Sequence, residues 1–242
     1  MILVFFITAS ISHSADLQRA DIEKMLSKAD KAHPANLRRK DLTKLDLSGL
    51  DFRNADLWGA DLRGTNLSRS NLSGLVLDLT VMVATNLEGA DLSNVSIFGV
   101  SMMRANLSHA NLSGSRVIAI LDNANLSNAN LSNIDWGADM KNQSMGLMRA
   151  SLNKANLSGA NLSNANLSRA MLRFADMRKT KLQNAVLYSA TLEGADFTDA
   201  DLTGADLTYA KLNDANFTRA ILKNTIFKNA KDKKSVRGVK LK

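Results

Sequence analysis

Residues 55–64 read ADLWGADLRG, and residues 155–169 read ANLSGANLSNANLSR. Both stretches repeat every five residues: Ala, then Asp or Asn, then Leu, then two small or polar residues. With the apolar residue taken as the centre, i, centres fall at Leu37, Leu42, Leu47, Phe52 and Leu57, and onward in fives to Val117. The phase slips by one to Leu121, Leu126, Leu131 and Trp136, and slips again to Met140 and Met145. After two extra residues it resumes at Leu152 and runs unbroken to Phe227. Leu is central in 27 of these 39 units and Ala stands at i−2 in 24, so the repeat must be read before any local propensity.

A period of five excludes the two common elements. In an α-helix five residues advance the angle by about 500°, so successive leucines spiral around the rod and define no face. In a flat strand a step of five alternates between faces. A chain that turns one corner per unit meets the pattern. Positions i−2 and i are two apart, so a short extended piece points both inward. The Ser, Thr, Gly, Asn and Arg residues that follow turn the corner. Stacked coils then bury Leu on Leu and Ala on Ala, each coil hydrogen-bonded to its neighbours.

This A(D/N)LXX repeat resembles the pentapeptide-repeat family, over residues 35–230. The resemblance implies an all-β solenoid, a right-handed quadrilateral parallel β-helix with four units per coil. The 39 units then make just under ten coils. At about 4.8 Å per coil the rod is roughly 45 Å long. Asn66, Asn86, Asn106 and Asn125 are expected at successive i−1 positions of one face, each amide donating to the next.

The flanks differ from the body. Residues 1–14, MILVFFITASISHS, place an apolar run ahead of small residues at a signal-peptidase site. No Lys or Arg precedes the run. The expectation is a secretory signal peptide and a bacterial periplasmic location; the alternatives are an apolar arm and a cytoplasmic protein. Residues 15–34 are expected to form an N-terminal capping helix, with Leu17, Ile22, Met25, Leu26 and Ala29 on one side and Pro34 closing it. A competing reading adds ADLQR and ADIEK as two more repeats, with Ser27 and Ala32 as poor centres. Residues 231–242 form a basic tail, expected to be solvated, with Lys231, Lys233, Lys234, Arg237, Lys240 and Lys242.

The chain has 31 Lys and Arg against 23 Asp and Glu, but residues 41–230 hold 18 of each sign. The excess therefore sits at the ends. Some proteins that the chain resembles protect DNA gyrase by carrying the charge of duplex DNA. Matching B-DNA over such a rod needs roughly 25 negative charges. A neutral body argues against a gyrase partner.

Catalytic chemistry is sparse. The chain has no cysteine and three histidines, which excludes disulfides and thiol catalysis. The aspartates are spaced by the repeat and form no convergent pair. The paired glycines of GGxGxD calcium repeats and the GxxxxGK[ST] phosphate loop are both missing. The nine Asn-Leu-Ser sequons fall out of the repeat, and glycans there would disrupt the stacking, which favours a bacterial source. The expectation is a non-enzymatic scaffold with no cofactor, metal or small-molecule substrate. Its partner is an unidentified protein or an acidic membrane or nucleic-acid surface, and a rod end offers a homodimer contact. Trp58 and Phe98, outward at i+1 two coils apart, and Ile118 one coil further, are the candidate partner-binding patch. Trp136, Met140, Met145 and Met148 are expected to fill bulges in residues 117–151, or to line a local binding site.

Overall fold

The structure is a computed structural model, and it describes residues 17–138 and 149–240. Most units contribute one bridge residue and one turn. Asp41 bridges Asp61, Asn66 bridges Asn86, Asn71 bridges Asp91 and Val76 bridges Ser96, all parallel and twenty residues apart. Four units therefore carry the chain once around. The walls are ladders of single bridges between turns, and longer strands are few for that reason. Among the described residues these are β1 (Ala35–Asn36) with β2 (Ala55–Asp56), and β3 (Ser96–Ser101) with β4 (Arg116–Ile120), each pair parallel.

Turn chemistry explains the corner. The N–H at i+3 donates to the carbonyl of i, as from Ala60 to Leu57 at 2.9 Å and from Ala110 to Leu107 at 3.1 Å. The residue at i+2 has positive φ, 58° at both Arg104 and His109, which is the type II pattern. Glycine meets this demand at Gly194, whose missing Cβ also leaves room for the Phe174 ring one coil below.

The interior is columns of like residues. Leu37, Leu57, Leu77, Ile97, Val117 and Trp136 run up one wall, all 1% exposed or less. Alanines at i−2, such as Ala160 and Ala165, are fully buried beside them. Where Thr or Ser replaces that Ala, the hydroxyl finds a backbone carbonyl in several units: Thr65 donates to Leu42 and Thr85 to Leu62 in the coil below, and Thr80 to Leu77 and Thr180 to Met177 within their own coil, all at 2.7 Å. Trp136 fits as a centre because its Nε1–H donates to Ser115 Oγ at 3.2 Å.

The first phase slip has a structural cause. Phe98 pairs with Ile118 but Val100 pairs with Ala119, so Gly99 is an extra residue on β3. The coil of β4 is one residue short there and runs straight where a turn would stand. Across the second irregularity, Asp135 bridges Asn166 and Ile120 bridges Ser151. Trp136 and Leu152 thus occupy consecutive walls of one coil. Among the described residues the repeat therefore has 37 units, where phase counts 39 with Met140 and Met145. Met140, Met145 and Met148 lie outside the described residues, as do residues 1–16.

The N-terminal helix is shorter than residues 15–34. It is α1, Arg19–Leu26, begun by the Gln18 N–H donating to Asp21 Oδ2 at 3.0 Å. Pro34 does not end it. Ser27 does, its Oγ donating to the Lys24 carbonyl, and Asp30 then receives the N–H groups of Ala32 and His33. Ile22 is fully buried, with Leu17, Met25, Leu26 and Ala29 packed on the core beside it. Arg19 donates to the carbonyls of Asp46 and Ser48, at 3.0 and 3.2 Å.

The other end corrects the expectation of a solvated tail. Lys231 bridges Lys211 and Arg237 bridges Asn216, with a 3₁₀ turn at Lys233–Ser235 between them. Ser235 Oγ bonds Asn213, and Val236 and Val239 pack against the core. Two valines and the register of the previous coil hold the basic segment on two walls.

Candidate functional site

Each unit presents i−1, i+1 and i+2 outward, so the surface is built from three positions per wall. At i−1, Asn or Asp serves twice. Its Oδ1 receives the N–H of i+1, as Asn106 does from Ser108 at 3.2 Å. Its Nδ2 donates to the same position one coil below. Asn66 donates to Asp46, Asn86 to Asn66, Asn106 to Asn86 and Asn125 to Asn106, at 2.9 to 3.1 Å. The expected amide ladder is present. In three units where i−1 lacks that oxygen, another side chain provides it. Asp78 receives the Phe98 N–H, Asp122 the Asn153 N–H and Asn153 the Arg173 N–H. In these coils i−1 is Ser96, Ser151 and Met171.

The carboxylates are occupied in the same way. Hydrogen bonds from Arg53, Arg178 and Arg219 hold Asp51, Asp176 and Asp199 below the usual carboxylate range, and the Thr203 hydroxyl does so for Asp201. Arg38 pairs with Asp56, Arg116 with Asp135 and Arg173 with Glu193. Among the described residues no cluster of His, Asp and Glu could hold a metal ion, and no helix is long and apolar enough to cross a membrane.

The structure does not assemble the patch of Trp58, Phe98 and Ile118. Trp58 is half-buried beneath Arg38 and Arg39, whose guanidinium carbons stand 4.6 and 4.9 Å from a ring centroid. Phe98 is half-buried. Ile118 is 3% exposed, because β4 has no turn at that point to swing it outward. Phe98 and Ile118 remain register partners, but Asp78 separates Trp58 from them. Trp136 belongs to the core. Of the basic residues, Lys231, Lys234, Arg237 and Lys240 are exposed and Lys233 is half-buried; Lys242 lies outside the described residues.

Two further surface features stand out. One is a pocket of about 350 Å³ lined by Val100, Ile118, Ala119, Ile120, Ser151 and Met171, opened where β3 and β4 shift register. Only the slip after Val117 hinted at it. The other is the C-terminal end, where Ile221 and Ile226 are 54% and 47% exposed. Isoleucine stands at i−1 there, the place of Asp or Asn in most units, and with Phe227 it marks this coil in the sequence as one in need of a partner.

Comparison with known proteins agrees with this geometry. The model of pentapeptide repeats matches eight copies, at residues 35–59, 60–97, 82–117, 119–141, 147–184, 172–204, 181–219 and 200–231. Among solved structures the chain is similar to HetL, a pentapeptide repeat protein involved in heterocyst differentiation regulation from the cyanobacterium Nostoc sp. strain PCC 7120. Identity is 29%, covering 93% of this chain and 99% of that one, with a TM-score of 0.58. QnrB1, a plasmid-mediated fluoroquinolone resistance protein, matches at 18% identity over 84% of this chain and 93% of that one, with a TM-score of 0.45. The pentapeptide repeat protein Rfr23 from the cyanobacterium Cyanothece 51142 matches at 30% identity over 49% of this chain and 90% of that one, with a TM-score of 0.25. No curated protein sequence matches. The shared fold is the right-handed β-helix solenoid, and proteins of this kind are generally non-catalytic scaffolds. Eight matched copies spread over residues 35–231 place the chain in the pentapeptide repeat family.

Proposed function

We propose that this protein is a non-catalytic, exported interaction scaffold: a rigid square rod of just under ten coils, counting the two walls that residues 231–237 add to its 37 repeat units, capped at its N-terminal end by α1, that binds a macromolecular partner through its surface. The observation that carries the reading is the mutual occupation of the outward polar groups. Amides donate along the ladders, carboxylates take arginines or turn N–H groups, and hydroxyls bond the Asn beside them. General acid–base or nucleophilic catalysis needs a group held free and aimed at a shared point. A wall of satisfied groups at regular spacing suits recognition of an extended or repeating partner instead.

Export rests on residues 1–14, and family membership does not bear on it. A DNA-mimicking role fits less well, since arginines pair with acids along the rod, as Arg63 does with Asp61 and Arg173 with Glu193. Fractionation of the native host with N-terminal sequencing tests the placement. The expected result is an extracytoplasmic protein beginning near Ala15. An intact Met1 on cytosolic protein contradicts export.

A further inference from the structure

The two ends of the rod differ in charge and in closure. Residues 41–210 hold 14 basic and 17 acidic residues, whereas residues 211–240 hold nine basic and two acidic, a net of +7. Residues 1–40 hold seven basic and four acidic residues, a net of +3, so the larger share of the positive excess is at the C-terminal end. The same end has an open core. Among the described unit centres every one is buried except Leu222 and Phe227. Residues 231–237 close two walls, with the Leu212 N–H on the Lys231 carbonyl and the Phe217 N–H on the Arg237 carbonyl. The two walls left uncovered carry Ile221 and Ile226 at their i−1 positions, exposed, with Lys223 and Lys228 two residues beyond each. Beneath the isoleucines are Asp201 and Asp206, whose oxygens already receive Thr203 and Thr208 N–H groups.

We infer that this end docks on an anionic lipid bilayer. The proposal rests on the reading of the protein as a surface-binding scaffold and names the surface. A bilayer of acidic lipids takes both features at once: lysine heads at the phosphate level, and the aliphatic Ile221 and Ile226 in the boundary below them. A nucleic acid would pair with the lysines but leave the isoleucines in water, since base stacking uses aromatic rings. A second copy docked end to end would set one such positive end against another. Nothing here requires a spanning segment. The rod would stand on the membrane by its basic end, with α1 directed away.

The test is co-sedimentation of the full chain with vesicles of pure phosphatidylcholine and with vesicles containing one-third phosphatidylglycerol. Residues 1–16 are identical in every variant, so any contribution from them cancels. Wild type is expected to partition onto the anionic vesicles and to be released by salt as screening shortens. Lys223→Glu with Lys228→Glu and Lys234→Glu should abolish the anionic preference. Ile221→Ser with Ile226→Ser should lower partitioning about tenfold with thermal unfolding of the rod unchanged. Equal partitioning onto both vesicle types, or indifference to either set of substitutions, overturns the proposal. So does a dimer that the isoleucine variant dissociates, or duplex DNA binding that the isoleucine variant leaves intact. Any of these leaves the scaffold reading standing. A catalytic activity would remove that reading without touching the vesicle result.

Discussion

Asn86 shows how one residue type can serve three bonds. Its Nδ2 donates to Asn66, its Oδ1 receives Asn106 Nδ2 at 3.1 Å, and the same oxygen receives the Glu88 N–H at 3.2 Å. Removing it strands a partner above, below and within its own turn. Asn86→Ala is expected to cost about 1–3 kcal/mol in urea unfolding, and Asn86→Asp, which keeps the acceptor, should cost less. Leu107 is fully buried in mid-wall, and Leu107→Ala should cost about 2–5 kcal/mol by the same measurement. The roles of these residues were readable from the repeat, because a strict period puts identical chemistry at identical places. Ile118 was not readable. Its position in the unit says outward, and only the pairing of β3 with β4 turns it inward.

At the scale of elements, departures from the repeat are absorbed by named devices. Gly99 is the bulge that lets β3 and β4 stay paired through the first slip. Asp122 pins the coil that resumes at Ser151, receiving the Ser151 hydroxyl at 2.5 Å and the Asn153 N–H at 2.9 Å. Asp122→Ala should therefore weaken the rod more than Asp206→Ala, whose carboxylate serves its own turn. Comparison of urea midpoints checks the order. At the first coil Ile22 of α1 is fully buried in the core on which Leu45 and Leu50, in place of Ala at i−2, also pack. Ile22→Ser should cost about 2 kcal/mol or more by leaving a hydroxyl against that surface. The helix was legible as an amphipathic stretch, but its end was not. Pro34 drew attention, while Ser27 and Asp30 made the turn. The C-terminal coil was hidden for a related reason: Val236 and Val239 look isolated in a lysine run until the previous coil supplies a surface for them.

For the whole molecule, the paired carboxylates set the response to acid. Asp51, Asp176, Asp199 and Asp201 lie below their ordinary value of 3.8 in the folded chain. Folding therefore favours their charged forms. That contribution is complete above the ordinary value and is lost as pH falls through the lower folded values. The melting temperature should be nearly level from about pH 5 to 8 and fall below about pH 4. Circular dichroism melts would show this, and a melting temperature unchanged at about pH 2.5 would contradict it.

All of these expectations depend on the walls continuing in register past the irregular segment. The chain has no cysteine, so an introduced pair is unambiguous. The Asn128 N–H donates to the Ser158 carbonyl at 2.9 Å, which sets Ser127 beside Ser158 in adjacent coils. Backbones in such neighbours lie about 4.8 Å apart, within disulfide reach. In a Ser127→Cys, Ser158→Cys variant, mild oxidation should form an intramolecular disulfide nearly completely, read as a mobility shift and as loss of free thiol. Ready cross-linking of Ser127→Cys with Gly146→Cys instead, and none with Ser158→Cys, would restore the 39-unit register and contradict the coil described here.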